Sequence, residues 1–195
     1  MLAATKNRDR AQVEAVVEAG VSLVGENRVQ ELLEKEEWLR GRAEVHFIGH
    51  LQTNKVRKVA GLVRLIHSVD SLRLAGEIDR RAGAGGFVQD VLIQVNVSGE
   101  DSKSGVSPGA LPWLVSEAGA MPGLAVVGLS TIAPMDDDPE RVRWVFRELR
   151  ELGLRCEEDI ERFTLRELSM GMTNDFEVAV EEGSTIVRIG TALFT

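Results

Sequence analysis

Leu124-Ala125-Val126-Val127 is an unbroken apolar run closed by Gly128, and Val91-Leu92-Ile93 is another. Neither alternates apolar with polar residues, as a strand with one wet face does. Continuous aliphatic runs suit strands covered on both faces, the condition of a parallel sheet flanked by helices. Outward from these two runs the pattern repeats. Strands are predicted near Leu2–Thr5, Ser22–Gly25, Val45–Ile48, Val63–His67, Asp90–Val95, Ala125–Gly128, Leu165–Leu168 and Ile186–Ile189.

Helical stretches fill the gaps. Asp9 caps a helix whose Val13, Val16 and Val17 share a face and which Gly20 ends. Ser71 starts another, running to the flexible segment Gly83-Ala84-Gly85-Gly86. The clearest helix follows Asp138, with Pro139 in its first turn. Val142, Val145, Phe146, Leu149 and Leu152 recur there at helical spacing, and Gly153 is expected to stop it. Eight strands alternating with about seven helices predict an α/β fold, a (β/α)8 barrel, with a doubly wound open sheet as the alternative. No composition shift marks a boundary, so residues 1–195 read as a single domain. The last strand is followed by only a few residues and the first begins at the first residue, so one outer helix is expected to be missing.

Composition narrows the function classes. The formal charge of −8 argues against general nucleic-acid binding. No apolar run is long enough to cross a bilayer and the first residues lack a signal-peptide core, so the expectation is a cytoplasmic protein without a membrane partner. The one cysteine, Cys156, stands among Arg155, Glu157 and Glu158 and reads as an inert residue of a surface segment. His46, His50 and His67 lack metal-motif spacing, and no metal is expected.

Several stretches carry chemistry. Lys6, one of five lysines against eighteen arginines, ends the first strand, where barrel active sites collect. A partly desolvated amine there suits attack on an aldehyde, although position alone favours an exposed lysine that begins a loop. Leu168-Ser169-Met170-Gly171-Met172-Thr173-Asn174-Asp175 reads as strand, small turn and helix start, either an anion site or simple capping. Val187-Arg188-Ile189-Gly190-Thr191 ends the last strand, and barrels often hold phosphate with their two final loops. Arg188 between apolar neighbours needs a partner, a structural carboxylate being the plain one. Gly25-Glu26-Asn27 and His46-Phe47-Ile48-Gly49-His50-Leu51-Gln52-Thr53-Asn54-Lys55 bring amides and charges to the same barrel mouth, His50 reading more readily as a loop residue than as an acid or base.

With these stretches, and with His67-Ser68-Val69-Asp70, Gly99-Glu100-Asp101-Ser102-Lys103-Ser104-Gly105 and Gly128-Leu129-Ser130-Thr131-Ile132, the sequence resembles the pyridoxal phosphate homeostasis (YggS/PROSC) family from Ala4 to Phe194. The resemblance implies the barrel of the alanine racemase N-terminal domain. It implies pyridoxal 5′-phosphate (PLP) held as a Schiff base on Lys6, with the phosphate on Ser169, the backbone near Met170 and Gly171, and Gly190 with Thr191. Arg188 would face the pyridine nitrogen, and Asn27 would lie near the ring. Arginine donates to an unprotonated ring nitrogen, which leaves a weak electron sink. That fits a carrier of PLP, monomeric or dimeric, with PLP-dependent apoenzymes as candidate recipients.

The chain departs from the family pattern in three places. The N-terminal helix usual before the first strand of that family is expected to be missing here. Lys6-Asn7-Arg8-Asp9 replaces lysine-threonine-lysine-proline, and Ser130 stands where methionine is usual, which is expected to loosen packing near the ring. An amino-acid racemase is the alternative, but a racemase of this type draws its second base from a tyrosine of a second domain, and the sequence has no tyrosine. A barrel that forms a Schiff base with another phosphorylated metabolite is the third reading.

Overall fold

A computed structural model of the chain describes residues 1–194. Eight strands form one parallel sheet: β1 (Leu2–Ala4), β2 (Leu23–Glu26), β3 (Glu44–Phe47), β4 (Leu65–Val69), β5 (Gln89–Gln94), β6 (Leu124–Ser130), β7 (Glu167–Ser169) and β8 (Arg188–Ile189). Neighbours in sequence are neighbours in space, and β8 pairs with β1. The seam between β7 and β8 is irregular: Met170 N donates to the Ile186 carbonyl at 3.2 Å and Arg188 N to the Gly171 carbonyl at 2.9 Å. The open-sheet alternative is thereby set aside, and the expected barrel is what the chain forms.

Six α-helices lie between the strands: α1 (Arg10–Glu18), α2 (Val29–Leu39), α3 (Leu72–Gly85), α4 (Leu111–Gly119), α5 (Arg143–Asp159) and α6 (Phe176–Glu181). A 3₁₀ turn, Thr53–Lys58, stands in for a helix between β3 and β4. Asp9 caps α1 through a capping box with Gln12, and Ser71 caps α3, as the sequence predicts.

Three local expectations are corrected. Gly83, Ala84 and Gly85 belong to the last turn of α3, and only Gly86 takes the left-handed conformation that ends it. Gly153 lies inside α5, which runs on to Asp159. A Cβ there would come within 2.8 Å of the Leu165 side chain, so the glycine admits that leucine rather than breaking the helix. This extra turn carries Cys156 inward; it is buried, and burial pushes its thiol pKa up, which keeps it inert.

The core has two layers. Val24, Phe47, Ile66, Val91, Ile93 and Leu129 point outward against helix residues such as Leu32, Ile78, Leu114, Phe146 and Leu149. Inside the barrel, Leu2, Leu65, Leu92, Val127 and Ile186 pack together. The remaining interior is polar: His46, His67, Gln94, Ser130, Ser169 and Arg188 are all buried. A barrel interior is ordinarily filled by branched apolar side chains. The polar residues sit beneath the strand ends that carry the site.

Candidate functional site

A cavity of ≈ 520 Å³ opens where the strands end at their C-terminal side. It is lined by Ala4 at the end of β1, Lys6 and Asn7 after it, Asn27 after β2, Ile132, Pro134, Met135 and Asp136 after β6, Met172–Asp175 after β7, and Arg188, Gly190 and Thr191 at β8. Five of the residues singled out in the sequence (Lys6, Asn27, Arg188, Gly190 and Thr191) therefore share one space.

Lys6 is exposed, contrary to the expectation of a partly desolvated amine. Its backbone position is tightly held. Thr5 N donates to the Gly25 carbonyl at 3.0 Å, and Asn7, with φ of 58°, donates its N–H to Glu31 Oε2 at 2.9 Å. Arg28 Nη1 closes the same turn on Asn7 Oδ1 at 3.0 Å. The amine thus stands at the cavity wall on a clamped turn.

Arg188 is buried at the cavity floor. Nη1 donates to the carbonyl and to the hydroxyl of Ser169, each at 2.7 Å, and Nη2 to the Thr131 carbonyl at 2.8 Å. Its partners are two carbonyls and a hydroxyl, not the structural carboxylate that the sequence reading offered. Burial lowers its pKa to about 10, offset in part by the Asp175 charge, so it stays a cation at neutral pH. Burial also raises the Asp175 carboxyl, whose Oδ1 accepts the Met172 N–H at 2.6 Å.

Two turns supply backbone donors. The N–H groups of Thr173, Asn174, Thr191 and Ala192 meet no protein acceptor among the described residues. The hydroxyls of Thr173 and Thr191 belong to the same turns. With only six residues, α6 adds little dipole to this donor set.

Ser169, Met170 and Gly171 lie outside the cavity lining and are buried. The Ser169 hydroxyl is engaged by Arg188 and by His67, and the Met170 N–H is used in closing the barrel. Thr173 and Asn174 of the same stretch take the place at the cavity that the sequence reading gave to these three. Ser130 is buried and donates to the His67 carbonyl, so its small side chain is bonded rather than loose.

Of the loop after β6, Pro134, Met135 and Asp136 were missed by sequence reasoning. Their only signal was Pro134 after the run Gly128–Ile132. His50 is exposed, 3.7 Å from Asp70, as a loop residue should be. With Asn27, Arg28, Gln52, Lys55 and Lys58 it lines a second hollow of ≈ 750 Å³ beside the first. No group of three or more His, Cys, Asp or Glu suited to a metal occurs among the described residues.

Residues 4–195 match the family model described as alanine racemase, N-terminal domain. The chain is 49% identical over 195 residues to the pyridoxal phosphate homeostasis protein of Aquifex aeolicus, covering 100% of this chain and 85% of that one. It is 40% identical to the protein of the same name from Pseudomonas aeruginosa, covering 83% of it. The PLP-bound structure of PipY from Synechococcus elongatus superposes with a TM-score of 0.92 at 34% identity, covering 100% of this chain and 92% of that one. An alanine racemase of Clostridium difficile, 13% identical over 98% of this chain and 53% of its own, shares the fold with a TM-score of 0.83. By sequence and by fold, the chain belongs to the pyridoxal phosphate homeostasis protein family, on the barrel of the alanine racemase N-terminal domain.

Proposed function

We propose that this chain, over residues 1–195, is a PLP-binding barrel that holds the cofactor reversibly and serves cellular vitamin B6 homeostasis without strong catalytic activity of its own. One observation carries the reading. A single cavity gathers a lysine amine, a buried guanidinium without a carboxylate partner, and two turns with free backbone donors. These are the three chemistries an aldehyde, a ring nitrogen and a phosphate require. The PLP bound in the PipY relative supports it.

The residues present fit the group. When bound, PLP supplies an aldehyde that condenses with an amine. Unprotonated Lys6 Nζ would add to the aldehyde carbon, a C=N bond would replace C=O, and water would leave. The N–H groups of Thr173, Asn174, Thr191 and Ala192, with the threonine hydroxyls, would take the phosphate. Gly190 belongs to this reading. A Cβ there would meet only Ala4 O at 3.5 Å and Ala4 Cβ at 3.7 Å, ordinary contacts, so protein packing does not require glycine. Close approach of a ligand explains it. Ser169, Met170 and Gly171 would support the phosphate turn from behind, and Asn27 would border the ring.

Arg188 supports a carrier over a racemase. It can only donate, and its orientation is set by two carbonyls, so it would meet an unprotonated ring nitrogen. Such a ring stabilises a carbanion poorly. The sequence also lacks the tyrosine that two-base racemisation uses. PLP-dependent apoenzymes are the proposed recipients and the cytoplasm the proposed location. No helix among the described residues is long and apolar enough to cross a membrane.

The test is spectroscopic. Protein mixed with PLP should turn yellow, and borohydride should fix the cofactor. Lys6→Ala should show neither effect. Rapid racemisation of any common amino acid would overturn the carrier reading.

A further inference from the structure

A row of buried polar groups runs from the cavity floor through the barrel interior. Arg188 Nη1 meets Ser169 Oγ at 2.7 Å, and Ser169 Oγ meets His67 Nδ1 at 2.8 Å. His67 Nε2 meets His46 Nδ1 at 2.9 Å, and His46 Nε2 meets Glu44 Oε1 at 3.0 Å. The row starts at the cavity floor and ends at a half-exposed carboxylate at the start of β3, on the opposite face of the barrel.

Its direction can be worked out. The guanidinium only donates and the carboxylate only accepts. Ser169 must therefore accept from Arg188 and give its one proton to His67 Nδ1. His67 then carries its hydrogen on Nε2 and donates to His46 Nδ1. His46 carries its own on Nε2 and donates to Glu44. Ser169, His67 and His46 each give one bond along the row and take one, and all point the same way. The arrangement needs both imidazoles neutral. A proton added to His46 would place N–H on both of its nitrogens and force His67 to accept at Nε2. His67 would then donate to Ser169, whose hydroxyl would face two donors and lose its acceptor.

The surroundings hold the imidazoles neutral. His67 faces His46 and Arg188, both opposing its protonation, and burial acts in the same sense. His46 faces Glu44 and Glu167, which favour a charge, and Arg64, which opposes it, and burial dominates.

We propose that His67 and His46 are positioning residues for the ring-nitrogen contact: through Ser169 they hold the Arg188 guanidinium fixed as a one-way donor at the cavity floor. The proposal rests on the PLP reading above for what the guanidinium meets, but the chain itself is testable without cofactor.

The first measurement is 15N NMR of the histidine rings in the cofactor-free protein at neutral pH. Both should be neutral Nε2–H tautomers. An Nδ1–H tautomer at His67, or a cationic His46, would overturn the proposal. The second measurement compares PLP release and absorbance in two variants. His67→Leu keeps bulk and removes the acceptor; release should accelerate about tenfold, the worth of one oriented charge-assisted bond, with a shifted absorbance band. His67→Asn keeps an acceptor near Nδ1 and should restore both. If His67→Leu binds like wild type, or if His67→Asn fails as badly while retaining wild-type thermal stability, the proposal is wrong. Borohydride trapping on Lys6 in each variant separates this failure from failure of the PLP reading: without a wild-type adduct the reading falls, whatever the tautomers.

Discussion

Lys35 reaches inward from α2 to place its Nζ 2.9 Å from Glu26 Oε1 and 3.0 Å from the Thr5 carbonyl, directly behind the residue that precedes Lys6. Both charges are buried, and the Thr5 hydroxyl donates to the same Glu26 oxygen. Burial still raises the Glu26 pKa in spite of these partners, and its second oxygen, Oε2, is buried without a hydrogen bond. The pair thus holds the Lys6 turn from inside the barrel wall and is sensitive to loss of either member.

Removing one partner leaves a buried charge alone, which costs about 3–5 kcal/mol. Lys35→Met should lower stability by that amount in urea unfolding. The double replacement Lys35→Met with Glu26→Leu should recover much of the loss. A Lys35→Met protein as stable as wild type would mean that the pair contributes nothing.

Arg188→Glu exchanges a donor for a group that cannot donate when ionised. Its carboxylate would face the Ser169 and Thr131 carbonyls, which now accept from Arg188. Stability should fall by about 2–4 kcal/mol, because buried acceptors lose their donor and a charge is left unpaired. Arg188→Gln keeps one amide donor and should fold, with weaker PLP binding. Fluorescence-monitored unfolding and PLP titration of the two variants separate stability from binding.

Gly190→Ala should leave the melting temperature almost unchanged, since the added methyl meets only ordinary contacts. PLP affinity should fall by about tenfold or more if a ligand needs that space. Unchanged affinity would remove Gly190 from the binding surface.

The buried histidines predict an acid-side loss of stability. Burial holds their folded pKa values below the ordinary histidine value of 6.5. Below that pH the unfolded chain takes up protons that the folded chain refuses, so stability falls as pH falls. The slope is at most about 1.4 kcal/mol per pH unit for each histidine, until the native rings themselves protonate. Urea unfolding at pH 7.5 and 5.5 should show the drop, and His67→Leu should reduce it.

Much of this was legible in the sequence, because the buried parallel strands write themselves as unbroken apolar runs. β5 and β6 fall almost where Val91–Ile93 and Leu124–Val127 place them. The seventh strand was placed too early, over Leu165–Leu168 instead of Glu167–Ser169, because Leu165 is apolar for a different reason: it packs against Gly153 of α5. Charged neighbours around Cys156 suggested a surface, whereas its helix turns that one position inward. Lys6, Asn27, Arg188, Gly190 and Thr191 could be found because strand ends converge in a barrel. The interior row of His46, His67 and Ser169 could not, since those residues lie on β3, β4 and β7 and only closure of the sheet brings them together.

The account rests on a covalent link between Lys6 and the PLP aldehyde. Mass spectrometry of the protein after incubation with PLP, borohydride reduction and proteolysis tests it most directly. A single reduced pyridoxyl adduct on the peptide carrying Lys6, absent from Lys6→Ala, is the predicted result. An adduct on Lys35, Lys55, Lys58 or Lys103 instead, or none at all, would contradict it.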